Sequence, residues 1–106
     1  MSTIDVEQKD LKTVSEILGS HVPEFEVRAF GSRVRGTTKK ASDLDLVIMT
    51  DVPLETLRMA DLKEAFIESA LPFKVDIVDW ADTKNTFREL ILSEYIVLKT
   101  GPSPGL

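Results

Sequence analysis

The sequence has no cysteine and only one histidine, His21, among its 106 residues. Without thiols the chain can form no disulfide and perform no thiol redox chemistry, and a single imidazole leaves a zinc site almost without ligands. The sequence also has no apolar run long enough to span a membrane, and its first ten residues, MSTIDVEQKD, are polar and acidic, unlike a signal peptide. These absences predict a cytoplasmic protein.

An excess of positive charge is also missing, since 13 Lys and Arg stand against 18 Asp and Glu, for a net charge of −5. Proteins that hold nucleic acids neutralise phosphates with Lys and Arg, so direct nucleic-acid binding is not expected. The length suits one small domain, predicted to cover residues 1–99, and leaves no room for a second. The Gly-, Pro- and Ser-containing end, residues 100–106, is typical of a disordered tail.

Helical and strand patterns alternate along the chain. Apolar residues at helical spacing predict helices over residues 6–19, from Pro53 to before Pro72, and after a cap at Asp82 or Thr83. Runs of β-branched and aromatic residues predict strands near 25–30, 44–50 and 73–79, and IVLK near the end predicts a short edge strand. The second helix is expected to have an apolar face made of Leu54, Leu57, Leu62, Ala65 and Phe66.

Three aspartates are placed so that they can converge. Asp43 and Asp45 open the run LDLVIMT, and because strand side chains alternate, residues two apart project from one face. Asp76 lies in a second β-branched run, VDIV, and reaches the same place if the two strands pair. Asp79, three residues further on, should project from the opposite face.

Carboxylates that lie close together repel, so either one of them takes up a proton or the group binds a divalent cation. Their hard oxygen ligands suit Mg²⁺, or alternatively Mn²⁺. Because protein-bound Mg²⁺ normally keeps places for substrate phosphates, the metal implies a nucleoside triphosphate. We therefore predict that Asp43, Asp45 and Asp76 are metal ligands and catalytic residues.

Gly31 and Ser32 follow the apolar-leaning run FEVRAF and precede a possible helix start, SRVRG. Glycine allows the backbone to approach a phosphate closely, while the serine hydroxyl and free N–H groups at a helix start can bind phosphate oxygens. Ser32 is predicted to bind and not to attack, because His21 shows no sign of being its catalytic base. These two residues are the predicted phosphate-binding site.

Simpler interpretations exist for each of these features. Asp43 and Asp45 taken alone would be read as a turn cap, and Gly31-Ser32 as an ordinary strand-to-helix turn. An unpaired Asp76 between Val75 and Ile77 is harder to explain without a cation. The one basic cluster consists of Arg33, Arg35, Lys39 and Lys40, and its role is left open between phosphate binding, partner binding and solvated loop charge.

The order of Gly-Ser, a ten-residue gap, Asp-x-Asp and a later strand aspartate resembles the nucleotidyltransferase superfamily that includes DNA polymerase β. The phrases AFGSRVRG, SDLDLVI and VDIVDW extend the resemblance, from about Leu11 to Lys99, to the minimal nucleotidyltransferases. The resemblance implies an α/β (α+β) fold, a small mixed sheet with helices packed on it.

Members of that family are partners of HEPN-domain toxins, which act as RNases. The resemblance implies a Mg²⁺-dependent antitoxin that transfers AMP from ATP to a tyrosine of a HEPN protein. Two alternatives stay open at this stage. One is an antitoxin that neutralises its toxin by binding alone, and the other is transfer to a small-molecule hydroxyl with a second subunit supplying the acceptor pocket.

Overall fold

The computed structural model describes residues 4–39 and 42–101, which form a four-stranded sheet and four helices. The elements in chain order are α1 (Gln8–His21), β1 (Val27–Phe30), α2 (Ser32–Arg35), β2 (Leu44–Ile48), α3 (Thr56–Ile67), β3 (Val75–Asp79), α4 (Asn85–Ser93) and β4 (Ile96–Lys99). A 3-10 turn, Trp80–Asp82, joins β3 to α4. The predicted mixed sheet with helices packed on it is confirmed.

The strands lie in the order β3-β2-β1-β4. Strand β1 is antiparallel to both β2 and β4, whereas β2 and β3 run parallel and are connected through α3. A parallel pair needs such a crossover, because the chain has to return to the starting end of the sheet. The predicted edge strand IVLK is β4, paired with β1.

The two faces of the sheet are covered unequally. Leu44, Leu46 and Ile48 of β2 point to the face that packs against α1 and α3, where the larger core cluster lies. On the opposite face a smaller cluster gathers around Phe30, Val47 and Ile91, the last from α4. Because side chains alternate along β2, Asp45 belongs to this second, less covered face.

Helix boundaries differ from the sequence prediction in three places. Helix α1 continues through Gly19 to His21, since that glycine is exposed and the helix interior tolerates it. Helix α3 begins at Thr56 rather than Pro53, and α4 begins at Asn85, after the 3-10 turn has taken up Asp82.

The predicted apolar face of α3 is only partly right. Leu62 and Phe66 are buried in the core, but Leu57 is 71% exposed.

Near the end of the chain, Gly101 lies against the backbone carbonyl of Glu24. Residues 102–106 of the predicted tail lie outside the described residues. Among the helices of the described ranges, none has the length and apolar content needed to cross a membrane.

Asp79 fastens the end of β3 to the end of β2. As predicted, it projects from the face opposite Asp76, and there it is buried, accepting hydrogen bonds from the Thr50 hydroxyl and the Leu54 backbone N–H. Thr50 in turn accepts a hydrogen bond from the N–H of Ala81. This hydrogen-bond network joins the ends of β2 and β3 on the face opposite Asp76.

Replacing Asp79 with alanine should destabilise the fold, because the Thr50 hydroxyl and the Leu54 N–H would lose a buried acceptor. The expected loss is about 1–3 kcal/mol, which lowers Tm by several degrees. Thermal unfolding followed by circular dichroism measures it. The exposed Asp82, three residues along the chain, is the matched control, and an equal Tm for the two alanine variants would contradict this role.

Candidate active site

Asp45 and Asp76 are direct neighbours across the parallel β2–β3 pair, since the register aligns their Cα atoms. Register partners project from the same face of a sheet, so the two carboxylates are side by side. On the other side of Asp45, its partner on the antiparallel β1 is Phe30. The predicted pairing of the two aspartate strands is therefore confirmed.

The pKa of the Asp45 carboxylate is affected by both of its acidic neighbours. Partial burial is the main reason that its pKa is raised, and the negative charges of Asp76 and Asp43 raise it further, while Arg35 opposes them. Asp43, two residues before Asp45, is half-buried just ahead of β2. The three aspartates are thus close enough to interact electrostatically.

This donor set suits a hard cation, because it offers carboxylate oxygens and no thiolate or imidazole. Among the described residues, no three acidic, histidine or cysteine side chains form a ready-made metal cage. The three aspartates lie near one another but do not by themselves form a complete set of metal ligands. A cation would remove the repulsion that raises the pKa of Asp45.

Gly31 forms the turn between β1 and α2, and its backbone has a φ of +83°, which favours glycine. A Cβ at this position would overlap the Asp45 Oδ2 atom and lie 3.1 Å from its Cγ. Glycine is therefore required twice, for backbone conformation and for the close approach of the turn to the carboxylate. The phosphate-binding turn predicted from the sequence lies directly against the aspartate pair.

Ser32 begins α2, a single helical turn. The N–H groups of Val34 and Arg35 both donate to the Gly31 carbonyl, at 3.0 Å each. Within the described part of the chain, no hydrogen bond uses the Ser32 hydroxyl, although its backbone carbonyl accepts from Thr37 and Thr38. The hydroxyl is thus available to a ligand.

A cleft of about 250 Å³ lies over these residues, between the sheet and α4. Its sheet side holds Phe30, Gly31, Arg35, Asp45 and Asp76, and its other wall is formed by Phe87, Leu90 and Glu94. The rings of Phe30 and Phe87 meet edge to face with centroids 5.7 Å apart, which fixes α4 against the sheet. The cleft therefore has acidic and apolar walls and one arginine.

Residues 11–99 match the family described as the nucleotidyltransferase domain. The chain belongs to the nucleotidyltransferase family. The resemblance predicted from Gly31-Ser32 and the three aspartates is therefore confirmed, and the match covers every residue of the predicted site.

Two relatives and two solved structures are similar to this nucleotidyltransferase. The probable protein adenylyltransferase MntA of Haemophilus influenzae is 49% identical over 91% of this chain and 84% of its own length. The protein adenylyltransferase MntA of Thermococcus cleftensis is 29% identical over 81% of this chain and 93% of its own.

The structural neighbours have the same fold. A toxin–antitoxin crystallised with AMP-PNP superposes with a TM-score of 0.72 at 22% identity, over 86% of this chain and 73% of that chain. A tri-AMPylated Shewanella oneidensis HEPN toxin in complex with its MNT antitoxin matches with a TM-score of 0.68 at 20% identity, over 90% and 73%.

The members of the basic cluster, whose role the sequence left open, lie in different places in the structure. Arg35 is exposed and lines the cleft, whereas Arg33 is buried and points elsewhere. Lys39 is exposed outside the cleft, and Lys40 lies outside the described residues. Of the described members of the cluster, Arg35 is therefore the one that lines the cleft.

Sequence reasoning missed the α4 side of the cleft. The sequence predicted only a helix after Asp82 or Thr83, yet Phe87, Leu90 and Glu94, from this helix and its end, line the site. The available signal was weak. Glu94 follows the last helical turn immediately, but no motif spacing connects it to Asp45 or Asp76.

Substituting alanine at Gly31 and at Gly36 should separate backbone strain from the contact with Asp45. Both glycines have positive φ, +83° and +77°, but a Cβ at Gly36 meets no atom within 4 Å. Gly36→Ala should lose about 1 kcal/mol of stability, and Gly31→Ala should lose more, because its φ of +83° with a ψ of −160° suits almost only glycine and its Cβ would overlap Asp45. Only Gly31→Ala should also abolish nucleotidyl transfer, measured as labelled nucleotide incorporated from ATP, because it displaces the Asp45 carboxylate. Equal residual transfer in the two variants would contradict the contact argument.

Asp45→Asn should make the metal-free protein more stable at pH 7. Since folding raises the pKa of Asp45 above its ordinary value of 3.8, the folded state holds the proton more tightly, and stability from this group is lost as pH rises through the raised pKa. The amide removes that loss, so its advantage in Tm should shrink as the pH falls toward 3.8. Melting curves in chelator test this, with the exposed Asp51→Asn as control. A Tm at pH 7 no higher than that of wild type would refute it.

Proposed function

We propose that this nucleotidyltransferase transfers AMP from ATP to a tyrosine hydroxyl of a HEPN-domain toxin, and so acts as the antitoxin of the pair. The observation that carries the proposal is the in-register pair of Asp45 and Asp76 beside the Gly31 turn. The names of its relatives, protein adenylyltransferases, and the AMPylated toxin in a structural neighbour support the same activity.

Asp43, Asp45 and Asp76 would hold Mg²⁺, with Mn²⁺ as a substitute, and Gly31 and Ser32 would bind the phosphates of ATP. The cation would supply charge neutralisation at the triphosphate and would lower the pKa of the acceptor hydroxyl. In support, the three carboxylates repel one another in a partly buried site. Arg35 on the wall of the cleft adds a positive charge that a triphosphate can use.

The reaction requires one proton transfer and one substitution at phosphorus. Asp76, which is exposed, accepts the proton of the tyrosine hydroxyl. The freed oxygen forms a bond to the α-phosphorus while the bond from that phosphorus to the bridging oxygen breaks, and pyrophosphate leaves. The Ser32 hydroxyl and the α2 turn stabilise the departing phosphates.

The size of the site favours a protein acceptor. A cleft of about 250 Å³ falls below the usual range for a pocket that encloses a small-molecule ligand, about 300–1,000 Å³. The nucleotide and the acceptor must therefore extend beyond the cleft, and the acceptor has to bring its own surface. A partner protein does this more readily than a small molecule, and we place both in the cytoplasm.

Co-expression with a HEPN-domain protein, followed by the intact mass of that protein, tests the proposal. Wild type should add one or more AMP units, and Asp76→Asn should reduce transfer by about 10²–10⁴-fold, because the proton acceptor and one cation ligand are lost. Asp82→Asn, an exposed aspartate outside the cleft, is the matched control. Equal modification of the toxin by Asp76→Asn and wild type would refute the assignment.

Binding without catalysis is the second candidate, because the protein exposes several large apolar side chains that a partner could cover. They include Val52, Leu57, Ile67, Leu90, Leu92 and Val97, each between 42% and 75% exposed. The same co-expression separates the two functions. An unmodified toxin that is nevertheless neutralised, both by wild type and by Asp43→Ala/Asp45→Ala, would favour binding alone.

A further inference from the structure

Arg33 is a buried arginine whose guanidinium donates only to backbone carbonyls. It is 9% exposed, and its Nε and Nη2 donate to the Ser42 carbonyl at 3.1 and 2.9 Å. Its Nη1 donates to the Asp5 carbonyl at 2.8 Å, and the Asp5 N–H donates back to the Arg33 carbonyl at 2.7 Å. All three guanidinium nitrogens are therefore already engaged.

The Ser42 carbonyl belongs to the peptide unit that leads into Asp43. On the other side of Asp43, the Leu44 N–H donates to the Lys74 carbonyl at 2.9 Å, where β2 begins to pair with β3. Asp43 thus lies between two fixed backbone points, one held by Arg33 and the other by the sheet. Without the Arg33 contact, only the hydrogen bond to the sheet would hold the backbone beside Asp43.

The guanidinium of Arg33 also lies over the ring of Phe73, 4.3 Å from its centroid. Phe73 precedes β3 and stands three residues before Asp76. An arginine that stacks on an aromatic ring while donating in its own plane has little freedom to turn. One side chain of the motif helix α2 therefore contacts the segments that carry Asp43 and Asp76.

A direct role for Arg33 in binding phosphate does not fit these contacts. Its donors face Ser42 and Asp5, and it does not line the cleft that contains Asp45 and Asp76. Within residues 4–39 and 42–101, no carboxylate lies within 4 Å of its nitrogens, so it is not one half of an ion pair. Its buried charge is satisfied by carbonyl oxygens and the Phe73 ring.

We infer that Arg33 is a positioning residue for nucleotidyl transfer: it sets the backbone at Ser42 and the approach to β3 so that Asp43 and Asp76 face the same bound cation and nucleotide. The inference rests on the proposed function, because it assumes that these aspartates hold a metal–nucleotide complex. Arg35, two residues on, lines the cleft, where its positive charge is available to a bound triphosphate.

Arg58 provides a matched control. Its Nε and Nη2 also donate to one carbonyl, that of His21, at 3.2 and 3.0 Å, and its guanidinium lies over Phe25, 5.6 Å from the centroid. These contacts join α3 to the end of α1, away from the cleft. Arg58 also forms an ion pair with Glu24, so the same substitution removes carbonyl and ring contacts at both arginines and, in addition, this ion pair at Arg58.

The experiment compares Arg33→Gln, Arg33→Lys and Arg58→Gln with wild type. Binding of Mn²⁺ in the presence of AMP-PNP is measured by electron paramagnetic resonance, and Tm and AMP transfer to the HEPN protein are measured on the same samples. Arg33→Gln should weaken Mn²⁺ binding and lower kcat by about 10–100-fold, in the range found when residues supporting a metal ligand are removed. Arg33→Lys should recover part of both, since one ammonium can still donate to a carbonyl.

Arg58→Gln should lower Tm and leave Mn²⁺ binding unchanged. If Arg33→Gln and Arg58→Gln differ only in Tm, or if neither Arg33 variant folds, Arg33 serves the fold alone and the inference is overturned. If wild type binds Mn²⁺ but transfers no AMP, the proposed function fails, and Mn²⁺ binding still decides the role of Arg33. Absence of Mn²⁺ binding by wild type would overturn both.

Discussion

The parallel pairing of β2 with β3 is the constraint on which the site depends. Its register sets Asp45 beside Asp76, and the pKa of Asp45 is raised first by burial and then by the negative charges of Asp76 and Asp43. The backbone hydrogen bonds of the ladder and the apolar side chains beneath it hold the two charges together. The fold therefore holds carboxylates in a mutual repulsion that a bound cation would relieve.

The unequal faces of the sheet explain how a chain of this size keeps a reactive site open. Helices α1 and α3 cover one face, and their buried side chains, including Leu18 and Leu62, pack in the larger core cluster. Among the described residues, the other face is covered by the short α4, anchored through Ile91 and the Phe30–Phe87 contact, and by Trp80 and Tyr95 beside it. The uncovered end of that face is where the acidic residues meet solvent.

The two arginines of the SRVR turn show how a short motif serves several purposes. In a single helical turn, side chains two residues apart point in different directions, so Arg33 turns into the protein and Arg35 toward the cleft. Gly31, just ahead of them, brings the turn against Asp45 where a side chain would not fit. Gly31, Arg33 and Arg35, which meet Asp45, the Ser42 carbonyl and the cleft respectively, thus lie within five residues of one another.

By itself, the sequence identified the family, the candidate site residues, which are the three aspartates and Gly31-Ser32, and the alternation of strands and helices. These follow from motif spacing and side-chain periodicity, which are local properties of the chain. The exposure of Leu57, the inward turn of Arg33 and the place of Glu94 at the cleft were decided only by the tertiary structure. Each depends on which distant segment packs nearby, and no local pattern records that. The register that aligns Asp45 with Asp76 depends on both sequence and tertiary structure. The sequence pattern predicted the two strands, and packing set their alignment.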